Sequence, residues 1–391
     1  MRAKYDFDRV IDRRGTGSLK WDGCRRGDTI PMWIADMDFQ PPPAVRQALR
    51  RHVDDGVMGY TMVRPEWIET IRGMLRRRHG WDVEPEAIVP LPDLTAGLHV
   101  ACWSYAGEAD EVLTTVPIYP PFLKIPGNCG RRLVTVPMVS DGRRYVLEPE
   151  TLTRAITPRT RLLLWCSPHN PTGRIFSRDE LTAIADVCLA GGLTICSDEI
   201  HCGLLLDEDK PHISMATLSP EVAARTVTLL SPGKTYNIPG LRCSMAVIPD
   251  AELRTAFLRS ARWLPESVNA LGYVACQAAY QHGEGWLTEL RAYLRGNRKM
   301  VERAVALMPG ISMQPPEATY LGWLDCRDAE MPDPAGFFDE AGVSLGDGRE
   351  FGAPGFCRLN FGCPRSLLAE ALDRMAAALA RRRTVAAARR S

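Results

Sequence analysis

The sequence predicts an α/β fold built on a mostly parallel sheet. Three apolar runs, at 162–166, 193–196 and 226–230, carry that prediction. Each is followed by a cluster rich in Ser, Pro, Asp or Gly, and short apolar runs with such boundaries read as buried strands. Between the first two lies a helical stretch at 177–190, opened by Ser177-x-x-Glu180, the pattern of a capping box. Strand, helix and strand make a βαβ unit, which requires parallel strands. Ligands of open parallel sheets sit beyond the carboxyl ends of the strands. Asn170, Asp198 and Lys234 follow the three runs, so they are expected to converge at one end of the sheet.

The lysine usage sharpens what that convergence means. The chain has only Lys4, Lys20, Lys124, Lys210, Lys234 and Lys299, although Lys and Arg together number 48. A chain that takes its general positive charge from Arg has kept Lys at 234. A lysine amine, unlike a guanidinium, can lose its proton and form a Schiff base. An aspartate at a strand end can hold a pyridine nitrogen protonated and make the ring an electron sink. Lys234, Asp198 and nearby hydroxyls therefore suit pyridoxal 5′-phosphate (PLP).

Composition sets the bounds. With 391 residues the chain is long enough for two domains and a sizeable core. A net charge of +1 implies no nucleic-acid field. No apolar run reaches the roughly 18 residues of a membrane span, and no secretion signal is read at the N-terminus. The twelve cysteines include no Cys-x-x-Cys pair, and Cys166, Cys196 and Cys243 lie in apolar strands as small buried residues. The expectation is a reduced, cytoplasmic setting without a structural metal. The Arg-rich tail at 381–391 reads as a helix end.

Three motifs in the central region, Ser167-Pro168-His169-Asn170-Pro171-Thr172-Gly173, Ser197-Asp198-Glu199-Ile200-His201 and Ser231-x-x-Lys234-x-x-Asn237-x-x-Gly240-Leu241-Arg242, together resemble the fold-type I PLP-dependent enzymes. Two end motifs narrow the resemblance. They are Ile11-Asp12-Arg13-Arg14-Gly15-Thr16-Gly17-Ser18-Leu19-Lys20-Trp21-Asp22 and Phe356-Cys357-Arg358-Leu359-Asn360-Phe361-Gly362-Cys363-Pro364-Arg365-Ser366. With them the chain is most similar to cystathionine β-lyases of the MalY/PatB type, over nearly its whole length.

The resemblance implies a large PLP-binding domain at 49–275 with a mixed, mostly parallel sheet. It also implies a smaller α/β C-terminal domain at 276–391, and an N-terminal arm at 1–48 that contributes to the small domain. It assigns the internal Schiff base to Lys234, the pyridinium contact to Asp198 and ring stacking to Tyr119; these three form the catalytic set. Asn170 is implied to bond the cofactor's 3′ oxygen. Ser231, Arg242 and the backbone at Asp93 and Leu94 are implied to hold the phosphate, joined by Tyr60 from a second subunit. Arg358 pairs with the substrate carboxylate, with Ala35 and Asn170 beside it. The group has His where many aminotransferases have Tyr, and here that residue is His201. His169 reads equally as a structural loop histidine.

The other elements follow in order. A helix at 44–53 opens after Pro41-Pro42-Pro43. Trp67, Ile68, Ile71, Met74 and Leu75 give a helix at 67–79 its core-facing stripe. Asp93 departs from the family, which has Gly before the helix that holds the phosphate; Asp is a good N-cap and is expected to cap that helix. Strands are expected at 111–116 and 131–138, with a hairpin turn at Asp141-Gly142. The pattern at 251–308 is helical, with Glu266-Ser267-Val268-Asn269 near a partner's site. Strands at 322–326 and 356–361 belong to the small domain. Gly233 and Cys202-Gly203 also depart from the family and suggest altered substrate space or a looser phosphate cup.

The function implied is a PLP-dependent carbon–sulfur β-lyase acting on an S-substituted L-cysteine, in a homodimer with shared sites. The alternatives are an aminotransferase and a secondary-metabolism relative that decarboxylates and oxidatively deaminates a cysteine conjugate. A regulator acting by protein contact is a further one.

Overall fold

The structure is a computed structural model that describes residues 5–264 and 267–388, with side chains as far as 382. Lys4, Glu266 and the last three residues of the Arg-rich tail lie outside the described residues. Seven strands form the large sheet, in the order Ile88–Leu91, Ser244–Val247, Thr226–Leu230, Thr194–Asp198, Thr160–Cys166, Glu111–Val116 and Arg132–Pro137. Ser244–Val247 runs antiparallel to both neighbours. The other pairings are parallel. The sheet is therefore mixed and mostly parallel, as expected.

Both faces of this sheet are covered, which is why its central strands are continuous apolar runs. Along Thr160–Cys166, Leu162, Leu164 and Cys166 enter one apolar cluster and Leu163 and Trp165 the other. Helix Arg178–Ala190 covers the second face through Leu181, Ile184, Ala185 and Cys188. Its N-terminus is the expected capping box: Ser177 Oγ accepts from Glu180 N, and the Glu180 side chain accepts from Ser177 N. Helix Leu94–Tyr105 covers the first face. It approaches closely at Gly97, where a Cβ would come within 2.9 Å of Leu229.

The smaller sheet has the order Ile30–Met32, Val343–Asp347, Phe356–Asn360, Leu321–Asp325 and Ser312–Met313. Its first strand comes from the N-terminal segment and pairs parallel with Val343–Asp347. Helix Pro43–Asp54 starts on a proline and packs against Ala270–His282. Helix Pro65–His79 buries Trp67, Ile71, Met74 and Leu75, as its spacing predicts. The hairpin at Asp141-Gly142 joins Val139–Ser140 to Tyr145–Val146; Gly142 takes a φ of 89°, and Asp141 Oδ1 accepts from Arg143 and Arg144 N–H at 2.7 Å each.

The helical pattern at 251–308 divides into Ala251–Ala261, Ala270–His282 and Glu284–Val305. The second break falls at Gly283, where a Cβ would lie 2.4 Å from the Ala279 carbonyl and 2.5 Å from the Tyr236 ring. No described helix is long and apolar enough to cross a membrane.

Candidate active site

Four adjacent parallel strands deliver the candidate residues in spatial order. Glu111–Val116 leads to Tyr119, the N-cap of helix Pro120–Asn128. Thr160–Cys166 leads to Asn170, and Asp198 ends its own strand, in register with Cys166 and Leu229. Thr226–Leu230 leads to Ser231, the N-cap of the short helix Pro232–Thr235 that carries Lys234. All five border one cavity of about 360 Å³. Asp93, Leu94 and Arg242 line it from the start of helix Leu94–Tyr105 and the turn after Leu241, while Ala35, His201 and Arg358 complete the set. Tyr60 does not line this cavity; its side chain is fully exposed.

The electrostatics follow from burial. Lys234 is pushed down to about 8, first by burial and then by the Arg358 cation. Its Nζ donates to the Ala35 carbonyl at 2.5 Å. Asp198 is pushed up to about 7 by burial, against the Ile200 N–H that donates to its Oδ1 at 3.0 Å. Arg358 is lowered to about 10, again by burial. It donates to Asn170 Oδ1 at 3.0 Å and to the Trp33 carbonyl at 2.7 Å, and lies 4.7 Å above the Phe351 ring. Burial, reinforced by Lys234 and Arg358, keeps His201 neutral. His169 is fully buried and pushed down to about 3, with Nδ1 2.8 Å from Thr172 Oγ1. It does not line the cavity, so it is a structural loop histidine.

Asp93 does cap the helix: its Oδ1 accepts from Ala96 N at 2.8 Å. Its other oxygen makes a contact the sequence did not suggest, an ion pair with Arg242 Nη2 at 2.8 Å. Gly233 borders the cavity, and its N–H donates to Ser231 Oγ at 3.0 Å. Cys202 and Gly203, expected to alter substrate space, do not line it. Gly203 is a packing position instead, since a Cβ there would come 2.4 Å from Thr235 Oγ1.

The 34–39 segment is held over the cavity by residues whose role the sequence does not reveal, most of them within the recognised motifs and Tyr320 outside them. Asn237 accepts from Met37 N at 2.9 Å and donates to the Met37 and Phe39 carbonyls. Asn360 Nδ2 donates to the Ile34 and Asp36 carbonyls at 2.6 Å each, and Tyr320 OH donates to that of Ala35 at 2.9 Å. Lys20 is buried, 2.7 Å from Asp38 Oδ2, while Arg13 bridges Asp36 and Asp38. Asparagines in a strand and a turn, where the side-chain amide can satisfy neighbouring backbone, were the available signal.

The profile of the family aminotransferase class I and II matches residues 28–375. The chain belongs to that family. Within it, the chain is a member of the MalY/PatB-type cystathionine β-lyase group. It is 36% identical over 388 residues to cystathionine beta-lyase PatB of Bacillus subtilis (strain 168), covering 96% of this chain and 100% of that one. Among solved structures, OvoB is 40% identical with a TM-score of 0.94, covering 96% of this chain and 99% of that one. Cystalysin from Treponema denticola, whose crystal structure contains a pyridoxal 5′-phosphate cofactor, is 30% identical with a TM-score of 0.92, over 96% of this chain and 98% of that one. The fold is that of the fold-type I enzymes.

The cavity's residues fit PLP. A partly buried amine, a buried carboxylate and a half-buried tyrosine line one space with the start of a helix and a guanidinium. The amine is depressed toward neutrality, as imine formation needs. The carboxylate is held up by burial, so a protonated ring nitrogen would return it to its ionised form.

Proposed function

We propose that this chain is a PLP-dependent carbon–sulfur β-lyase that cleaves an S-substituted L-cysteine to a thiol, pyruvate and ammonia. The observation that carries the reading is the convergence of Lys234, Asp198 and Arg358 on one cavity. Membership of the cystathionine β-lyase group supports the reaction class.

When bound, PLP supplies an electron sink for the pair released as the substrate's Cα–H bond breaks. Lys234 would carry the cofactor, and its free amine would be the base that takes the substrate's Cα proton. Burial favours the neutral amine that this role needs. Asp198 would hold the ring nitrogen in its protonated form, and Tyr119 would stack on the ring. Arg358 forks onto the α-carboxylate and fixes which bond at Cα is broken. The Cβ–S bond then breaks, and the electron pair leaves with sulfur as thiolate, which takes up a proton. One water converts the remaining three-carbon unit to pyruvate and ammonium, so atoms and charge balance.

The same reading makes the protein a homodimer, with Tyr60 reaching the cofactor phosphate of the second copy. Tyr60 is exposed beside the exposed apolar residues Val57, Met58 and Met62, which supports such a contact. Sedimentation should give a dimer; a fully active monomer would contradict it. Twelve free cysteines support a cytoplasmic setting.

The test of the reaction class is acceptor dependence. Turnover of an S-substituted L-cysteine should proceed at the same rate with and without a 2-oxo acid. Turnover that starts only when the 2-oxo acid is added would make the enzyme an aminotransferase.

A further inference from the structure

We infer that Asp93 lowers the affinity of the cofactor site by occupying, with its own carboxylate, two of the donors that a phosphate would use; this rests on the PLP reading above. The Asp93 side chain is used twice. Oδ1 accepts from Ala96 N at 2.8 Å and Oδ2 pairs with Arg242 Nη2 at 2.8 Å. A helix N-terminus and a guanidinium are both strong anion donors. Here one carboxylate already engages the Ala96 N–H of that helix start and the Arg242 guanidinium.

Of the serine and threonine hydroxyls lining the cavity, on Thr95, Ser231 and Ser244, one is already engaged. Ser231 Oγ donates to the Cys243 carbonyl at 2.9 Å and accepts from Gly233 N at 3.0 Å, so its proton is committed to the protein. Position 233 adds no second hydroxyl. The cationic side chains lining the cavity are Lys234, Arg358 and Arg242. The first is the cofactor's covalent anchor in the proposed function, and the second is held by Asn170 and Trp33. Of these three, Arg242 is the one placed to meet the phosphate, and the partly exposed Asp93 carboxylate 2.8 Å away offsets part of its charge. A dianion entering this cup must displace the carboxylate from Arg242 or share the guanidinium with it, and both weaken binding. The arrangement weakens the hold on the cofactor's phosphate relative to a cup without the Asp93 charge.

The substitution that isolates this effect is Asp93→Asn, which keeps a side-chain oxygen for the helix cap and removes the charge. Asp93→Ser, also a good N-cap residue, guards against a folding artefact of either variant. The probe is pyridoxine 5′-phosphate, which lacks the aldehyde and cannot condense with Lys234, titrated calorimetrically against cofactor-stripped protein. Both variants should bind it roughly three- to tenfold tighter than wild type, with the affinity for phosphate-free pyridoxine unchanged. Equal or weaker binding of pyridoxine 5′-phosphate by both variants would overturn the inference while leaving the cofactor reading intact. So would an equal gain for pyridoxine. If wild type and variants alike fail to bind either compound or PLP, the cofactor reading itself fails, and the inference with it.

Discussion

Arg358 Nη1 donates to Asn170 Oδ1 at 3.0 Å across 188 residues of sequence. Arg358 stands on a central strand of the small sheet and Asn170 in the loop beyond a strand of the large one. The bond therefore joins elements of the two sheets at the cavity, while Nη2 donates to the Trp33 carbonyl. Removing it with Asn170→Ala leaves a buried cation with one acceptor fewer. A hydrogen bond to a charged group contributes about 1.5–3 kcal/mol. The expected outcome in steady-state kinetics is a loss of about ten- to a hundredfold in kcat/KM, larger in KM than in kcat. An unchanged KM would mean that Arg358 needs no help from Asn170.

Lys234→Ala removes the amine. Borohydride reduction of PLP-loaded wild type should fix the cofactor to the chain, and reduction of the variant should not, as read by intact-protein mass. Cofactor fixed in the variant would move the anchor elsewhere. Lys20, the other lysine held deep in this region, is engaged with Asp38 and is not expected to take over.

Asp198 gives a pH signature in the cofactor-free protein. Its carboxyl is raised from 3.8 to about 7 in the fold. Between those values the folded protein holds a proton that the unfolded chain has released, so stability falls as pH rises through that window. Asp198→Asn removes the dependence, and the variant should gain on wild type by on the order of 4 kcal/mol between about pH 4 and pH 7. Lys234 acts in its own window: lowered from 10.5 to about 8, it makes stability rise with pH between those values. Urea unfolding of both proteins at several pH values checks this, and parallel profiles would contradict it.

Gly203→Ala should test the contact behind Lys234. The added methyl meets Thr235 Oγ1 at 2.4 Å, on the residue next to the lysine. Overpacking of this kind costs about 1–3 kcal/mol. Thr235→Ala in the same chain should recover most of the lost thermal stability; no recovery would place the strain in the backbone.

The central strands and their ligand end were legible because a parallel sheet leaves an unmistakable pattern: buried runs such as 162–166, each closed by a polar cluster. The cap at Asp93 was legible for a similarly local reason. Its ion pair with Arg242 was not, because it joins positions 149 residues apart and depends on how the turn after Leu241 meets the helix. Asn237 and Asn360 stood inside recognised motifs, yet their work, tying the 34–39 backbone over the cavity, shows only once the lobes are assembled. Gly203 misled for the same reason: it lies close to Lys234 in space but faces Thr235 and not the cavity.

The measurement that tests the central claim most directly is product stoichiometry. PLP-loaded protein is incubated with an S-substituted L-cysteine in the absence of any 2-oxo acid. Thiol, pyruvate and ammonia should appear in equal amounts and continue over many turnovers. Carbon dioxide with an aldehyde in place of pyruvate, or a reaction that stops without releasing thiol, would contradict β-elimination.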